Sequence, residues 1–253
     1  MASARAGIAL MANRYAPIED YGVIGDLHTV ALVGKDASID FLCLPSFDSP
    51  SVFAALLDAD RGGRFQIAPQ LDDAVHRQLY LPDTNVLLTR FLSDGGVAEV
   101  SDFMPVEDAG IAHNLVRRAK TVRGELRFGM RCDPRFDYAR ATHTVERRGD
   151  TEILFSGRAG ARELALRLRS SVPMQVAEGA AVAQFTLGAD ESAWFVLEVV
   201  TADGPSPCAR RYGVSRRACP SSDQNDAGSG RLFPAPVAAM PLELAGSRDA
   251  TRS

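Results

Sequence analysis

The sequence predicts an all-β protein, a large antiparallel β-sandwich with one short helix and a poorly structured C-terminal tail. From Thr29 onward, apolar and polar residues alternate in short runs that turn residues separate, which is typical of strands half-buried in a sheet. Helical periodicity is nearly absent. Regularly spaced short strands with few helices indicate a sandwich or barrel rather than an α/β fold.

The first elements are a hairpin and a helix. His28–Val33 and Ser38–Leu44 flank the compact polar connection Gly34–Ala37, which suits a hairpin turn. Both faces of the second strand are apolar, as expected for a central strand. Ser49-Pro50 then resembles a helix start, with a serine cap and proline in the first turn, and it predicts the short helix over Val52–Leu57.

Strands dominate the rest of the chain as far as residue 201. The clearest hairpin joins Val86–Leu92 to Val97–Phe103 through Asp94–Gly96, a turn expected to use positive φ angles. Glu163–Ser170 contains good helix formers, but its leucines alternate strictly, so it is predicted as a strand. Further strands are predicted at 64–68, 77–81, 113–122, 125–132, 141–147, 151–156, 181–187 and 194–201.

Composition divides the chain into three segments and narrows the classes of partner. Residues 1–16 are predicted to be a flexible leader, 17–203 a β-sandwich domain and 204–253 a disordered or frameshifted tail rich in Arg, Ser, Pro and Gly. The formal charge of -4 offers no broad basic surface, so neither nucleic acid nor membrane is expected as a partner.

Cysteine usage favours a cytoplasmic location. The four cysteines form no C-x-x-C pair, and Cys43 and Cys132 lie in apolar strand patterns typical of buried thiols. The apolar run near the N-terminus is too short for a secretory signal. A reducing compartment suits such a chain.

The sequence predicts no cofactor, no metal site and no catalytic residue. It contains no glycine-rich phosphate loop, nucleophile elbow or zinc-spaced cluster. Its four histidines, His28, His76, His113 and His143, are far apart, and each is expected to be a surface or packing residue. Paired carboxylates could hydrolyse a glycosidic bond. Spacing singles out no such pair among Asp26, Asp40, Asp48, Glu99, Asp102, Asp133 and Asp137.

Two loop segments contain the residues best suited to binding a sugar. Tyr21–Asp26 ends in a carboxylate, and Pro45–Pro50 places Phe47 beside Asp48. An aromatic ring next to a carboxylate can stack on a sugar ring and bond its hydroxyls. Asp26, Phe47 and Asp48 are therefore the candidate substrate-binding residues. Ordinary loop entry and helix capping remain the alternative account of both segments.

The same segments carry a resemblance to a known family. IEDYGVIGD at 18–26, ALVG at 31–34, SIDFLCLP at 38–45 and FDSP at 47–50 resemble, in order and spacing, the opening of bacterial glycoside hydrolase family 15 proteins of the trehalase-like and glucoamylase-like kind. VSDFMP at 100–105 and PRFDY at 134–138 fit the same family. This chain departs from the family at three positions. Phe41 stands where the family usually has Trp, Ser46 where it has Arg, and Ala37 where it has Gly.

The resemblance implies an N-terminal super-sandwich followed by a linker helix and an (α/α)6 barrel that supplies both catalytic glutamates. Residues 204–253 show no barrel-like periodicity, so we expect a noncatalytic accessory domain with the catalytic barrel absent. Trehalose or another α-glucoside is the expected substrate of the full-length enzyme. Two alternatives stay open: a free-standing carbohydrate-binding sandwich, and a subunit of a split glycosidase whose barrel is supplied in trans.

Overall fold

The fold is a sandwich of two antiparallel sheets of eight strands each, in a computed structural model that describes residues 15–106 and 113–200. The predicted all-β class is confirmed. Sheet A contains β1 (Tyr21–Gly25), β2 (Val30–Gly34), β3 (Ser38–Cys43), β4 (Ser51–Phe53), β5 (Phe65–Pro69), β10 (Leu126–Cys132), β14 (Gln175–Ala177) and β15 (Ala180–Leu187). Sheet B contains β6 (Val75–Tyr80), β7 (Leu87–Ser93), β8 (Gly96–Phe103), β9 (Asn114–Arg123), β11 (Thr144–Arg147), β12 (Glu152–Ala159), β13 (Arg162–Ser170) and β16 (Ser192–Val200).

The chain passes repeatedly from one sheet to the other. The order in sheet A is β1-β2-β3-β5-β10-β15-β14, with β4 added on β3, and the order in sheet B is β11-β12-β13-β16-β9-β8-β7-β6. Crossings follow β5, β9, β10, β13 and β15. Residues far apart in sequence therefore meet in the loops at the ends of the sandwich.

Alternating side chains fill the layer between the sheets. In β13, Leu164, Leu166 and Leu168 are buried there, while the intervening Arg167 and Arg169 lie on the outer face. This confirms the strand that alternation predicted against helix propensity. Aromatic rings contribute much of the core volume, namely those of Phe53, Phe65, Phe128, Phe136, Phe155 and Phe195.

A buried ion pair joins the two sheets through this layer. Arg117 on β9 and Asp102 on β8 are cross-strand partners, and both are 0% exposed. Arg117 Nε donates to Asp102 Oδ1 at 2.8 Å. The same guanidinium donates across the layer to the carbonyl oxygens of Phe65 and, at 2.6 Å, Ala37 in sheet A. It also lies over the Phe65 ring, 4.7 Å from its centroid. One side chain thus fixes β9 against two segments of the opposite sheet.

Side chains also bridge the two open sides of the sandwich. On one side, the Tyr80 hydroxyl on edge strand β6 accepts from Val23 N–H at 2.9 Å and donates to Val23 C=O at 2.7 Å on edge strand β1. Gln78 Nε2 donates to the carbonyl oxygen of Gly34 at 2.9 Å. On the other side, His143 Nε2 donates to Gly179 C=O at 3.0 Å. The backbone groups of Val23 on edge strand β1 and the carbonyl group of Gly179 beside edge strand β14 therefore have partners within the domain.

The predicted helix over Val52–Leu57 is wrong. Ser51–Phe53 is strand β4, which pairs with β3, and residues 54–57 continue as loop and turn. The Ser49 hydroxyl accepts a bond from Ser46 N–H instead of capping a helix. The single α-helical element of the described ranges is the four-residue Phe136–Ala139, and a 3₁₀ turn at Ile18–Asp20 precedes β1.

Other local predictions have mixed outcomes. The hairpin through Asp94–Gly96 is present, but neither glycine in this turn has a positive φ. Ala37 does, at 55°, in the first hairpin. The predicted tail at 204–253 and most of the predicted leader lie outside the described residues. Within 15–106 and 113–200, the structure contains no helix long and apolar enough to cross a bilayer.

Candidate functional site

The loops at one end of the sandwich bring the sequence-predicted residues together. The β1–β2 loop contains Asp26, and the β3–β4 loop contains Phe47 and Asp48. A backbone hydrogen bond of 3.0 Å, from Phe47 N–H to His28 C=O, joins the two loops. The surface that contains these residues is therefore formed by two loops of sheet A, β1–β2 and β3–β4.

Asp26 is buried and its carboxylate is held by three donors. Oδ1 accepts the backbone N–H groups of His28 and Thr29, both at 2.9 Å. Oδ2 accepts from His113 Nδ1 at 2.7 Å. Leu27 sits at the tip of the loop with φ 73°, which folds the following amides back onto the carboxylate. The side chain of Asp26 is thus oriented by its own loop on one side and by sheet B on the other.

His28 and His113 form an edge-to-face pair beside this carboxylate. Their ring centroids are 5.4 Å apart, and His28 Nδ1 lies 3.3 Å from Asp26 C=O. His28 is exposed, whereas the His113 side chain is 17% exposed. The sequence, which indicates surface or packing histidines, does not predict this pair. No local pattern could have indicated it, because His113 reaches the β1–β2 loop only through the start of β9 in the other sheet.

Phe47 and Asp48 lie on the solvent side of the same loops. The Phe47 side chain is 58% exposed. The Ser46 hydroxyl donates to Asp48 Oδ1 at 2.7 Å and lowers the pKa of that carboxyl below its ordinary value, with a smaller contribution from the charge of Arg162. Asp48 is therefore ionised near neutral pH. An exposed ring beside an oriented carboxylate can stack on a sugar and accept bonds from its hydroxyls.

A cleft lies on the other side of β4. It has a volume of about 380 Å³ and combines an aromatic ring with charged and small apolar groups. Its lining residues are Ala54, Leu57, Asp58, Arg61, Gly62, Tyr138, Ala139 and Arg140. A mixture of this kind suits a polar ligand with one apolar face.

The helical turn that lines this cleft is left-handed. Asp137, Tyr138 and Ala139 have φ angles of 53°, 55° and 62°. Each such residue costs about 1–2 kcal/mol when it carries a side chain. The anchor is Phe136, which is fully buried between β4 and β12. Arg140 N–H closes the turn on Asp137 C=O at 3.0 Å. Packing thus maintains a strained backbone that presents Tyr138 to the cleft.

The cleft and the Asp26 loop meet at β3. Burial raises the pKa of the Cys43 thiol, and a side-chain hydrogen bond with Tyr138 opposes that rise. The backbone carbonyl of the same Cys43 accepts the Thr29 hydroxyl at 2.6 Å. Cys43 therefore contacts both the turn that lines the cleft and the β1–β2 loop.

The comparisons with known proteins agree with this architecture. A family model described as "Trehalase-like, N-terminal" matches residues 7–212. The chain belongs to this family. It is 33% identical over 155 residues to a trehalase of Mycolicibacterium smegmatis, which is 54% of this chain and 23% of that protein. It is 40% identical over 129 residues to trehalase 1 of Sulfolobus acidocaldarius, 51% of this chain and 21% of that protein. The trehalase of Thermoplasma volcanium is 40% identical over 98 residues, 38% of this chain and 16% of that protein.

The trehalase-like N-terminal domain therefore spans less than a quarter of the length of these relatives.

The five carboxylates that remain from the sequence-predicted set have structural partners. Asp40 accepts the Tyr21 hydroxyl at 2.9 Å, and burial together with this bond raises the pKa of Tyr21. Asp102 pairs with Arg117. Glu99, Asp133 and Asp137 pair with Arg90, Arg135 and Arg140. The positions of these carboxylates are explained by the domain's own stability.

Proposed function

We propose that this chain is the N-terminal accessory domain of a trehalase-like glycoside hydrolase and is noncatalytic by itself. The observation that carries the proposal is the family match, joined to relatives named trehalases that are more than four times longer than the shared part. The structural partners of the carboxylates support it, since an acid and a base for glycoside hydrolysis must be free to reach the substrate. The remaining part of the whole enzyme would supply them.

In the whole protein, the proposed role is to support a catalytic (α/α)6 barrel and to lend one edge to its substrate pocket. Phe47 and Asp48 are the residues proposed to reach the sugar, since they pair an exposed ring with an ionised carboxylate. Trehalose is the substrate favoured by the relatives' names, with maltooligosaccharides as the glucoamylase-like alternative. The buried thiols of Cys43 and Cys132 support a cytoplasmic location.

An assay of glucose release tests the division of labour. The purified chain is incubated with trehalose and with maltotriose beside the full-length Mycolicibacterium smegmatis trehalase. We expect no release by the chain while the control is active. Release that persists in highly purified chain and is abolished by Asp26→Asn or Asp48→Asn would place catalysis inside this domain and refute the accessory role.

A second candidate function is carbohydrate binding by the free domain, favoured by the exposed ring of Phe47 and by the Tyr138 cleft. Calorimetry with trehalose, maltose and longer glucans tests it. Binding that Phe47→Ala or Tyr138→Ala weakens, and that Val75→Ala on edge strand β6 leaves unchanged, would support this role. Absence of heat with every sugar would refute carbohydrate binding by the free domain and leave the accessory role as the remaining candidate.

A split enzyme, with the barrel supplied in trans, is the remaining alternative. Copurification of this chain with a separately expressed barrel from a trehalase relative tests it directly. Recovery of trehalase activity only in the mixture would support assembly in trans. Failure of the two to associate would count against it.

A further inference from the structure

We propose that Asp26, His28 and His113 form a binding site for one divalent transition-metal ion of the zinc class. Each residue offers one ligand atom, and these atoms all lie within 4.8 Å of one another. A carboxylate with two imidazoles is a ligand set that zinc prefers. The proposal goes beyond the role in a trehalase and does not depend on it.

One pair of ligand atoms, on Asp26 and His113, is already as close as a shared ion requires. Ligand bonds to zinc of about 2.0–2.2 Å place neighbouring donor atoms about 3.3 Å apart in a tetrahedral site. Asp26 Oδ2 and His113 Nδ1 are now 2.7 Å apart because a proton lies between them. The ion would replace this proton, and the donor pair would open by about half an ångström. His28 is exposed, so its ring can move into place without disturbing the core.

The surroundings hold the carboxylate in a fixed orientation before any ion arrives. Asp26 Oδ1 is occupied by the amides of His28 and Thr29, which leaves Oδ2, now bonded to His113, as the oxygen that would bind the ion. The Thr29 hydroxyl is tied in turn to Cys43 C=O at 2.6 Å. Hydrogen bonds of this kind, one step removed from the ion, are what orient carboxylates in known metal sites. Little side-chain entropy remains to be lost at Asp26.

Three protein ligands leave a fourth position of a tetrahedral ion for water or another ligand. The solvent-exposed side of the cluster is at His28, whose carbonyl oxygen is bonded to Phe47 N–H. Solvent reaches the cluster from the side of His28, the exposed member of the three. An ion here would also join the β1–β2 loop of sheet A to His113, which directly precedes β9 of sheet B.

Calorimetric titration with Zn²⁺ tests the site. The full chain carries Cys208→Ser and Cys219→Ser, so that thiols outside the described residues do not compete for the metal. His28→Asn and His113→Asn are compared in this background with His76→Asn, a control whose ring packs against Phe91 on β7. Circular dichroism confirms that each variant is folded without metal.

We expect one Zn²⁺ per chain, with affinity reduced at least about tenfold in His28→Asn and His113→Asn and unchanged in His76→Asn. Absence of binding, or equal affinity in all four proteins, would overturn the proposal. An equal loss in the control would overturn it too, by showing nonspecific binding. If His113→Asn does not fold, His28→Asn decides the question alone, because His28 is exposed.

Discussion

Removing the guanidinium of Arg117 is the sharpest test of how the two sheets are held together. Arg117→Met keeps an unbranched apolar stem but removes every hydrogen bond that the residue donates. These are two bonds to Asp102 and one each to the carbonyl oxygens of Phe65 and Ala37. The variant therefore leaves a carboxylate and two carbonyl groups buried without their present donor.

The expected loss of unfolding free energy is about 4 kcal/mol. Deleting one partner of a buried pair costs about 3–5 kcal/mol, because the other charge stays desolvated. Each orphaned carbonyl group adds up to about 1–3 kcal/mol, although the contributions are not additive. The free energy of unfolding of a domain is about 5–15 kcal/mol in all, so the variant should lose a large part of its stability. In Arg117→Met/Asp102→Leu the stranded charge is gone, and we expect about half of the loss to be recovered.

Urea unfolding measures both variants. The single tryptophan, Trp194 on β16, neighbours β9 in sheet B and reports the transition by fluorescence. Arg148→Met is a matched control, because its partner Glu146 is exposed and the urea midpoint should not change. The reasoning is refuted if Arg117→Met loses less than about 1 kcal/mol, or if the double variant is as unstable as the single one.

Three further predictions concern buried or strained groups. Burial raises the pKa of the Cys132 thiol. The contribution of this thiol to the free energy of unfolding is therefore complete below about pH 8.5 and is lost as the pH rises. Urea melts should show stability falling above that pH by up to about 1.4 kcal/mol per unit, with a shallower slope in Cys132→Ala. Gly63→Ala should lose at least about 2 kcal/mol of unfolding free energy in the same melts, because the added carbon would meet Asp133 C=O at 2.2 Å and φ is 68°. The control is Gly149→Ala, where φ is 76° but the surrounding space is open. It should lose only the backbone cost of about 1–2 kcal/mol. Glu198→Gln should lower stability by about 2–4 kcal/mol, since this buried carboxylate accepts from two arginines, and a thermal melt with unchanged midpoint would contradict it.

Strands with strict alternation could be predicted from sequence because burial of one face is a local pattern. β13 is the clearest case, since its leucines face the core as alternation requires. β1 escaped prediction because Gly22 and Gly25 resemble a turn. In the structure Gly22 lies where an added carbon would meet the Leu87 side chain at 2.5 Å. The glycine allows close packing of the two sheets, and only the partner strand reveals this need.

The wrong helix shows how tertiary pairing overrides a local signal. Ser49-Pro50 is a good helix start in isolation. Phe53 instead pairs with Leu42 on β3, and Ser51 with Cys43, so the backbone extends where the cap signal predicts coiling. The strand gains buried hydrogen bonds and core contacts that a one-turn helix could not make.

The candidate site was partly predictable for the same reason. Residue type and a motif resemblance indicate Asp26, Phe47 and Asp48, and the loops that contain these residues do meet. Their role in binding a sugar stays a prediction. His113 is 87 residues from Asp26 in sequence, and its 2.7 Å contact depends on how β9 enters the other sheet. The strand topology brings these two residues together, and no local sequence pattern indicates their contact.

The side-chain bridges along the open sides of the sandwich bear on how copies of the domain meet. An edge strand with unpaired backbone groups is a template on which another chain can add a strand, and aggregation begins there. Tyr80 occupies both backbone groups of Val23 on β1. Strand addition at β1 would first have to displace this side chain. Tyr80→Phe removes the hydroxyl alone, and should therefore leave both backbone groups of Val23 open to an added strand.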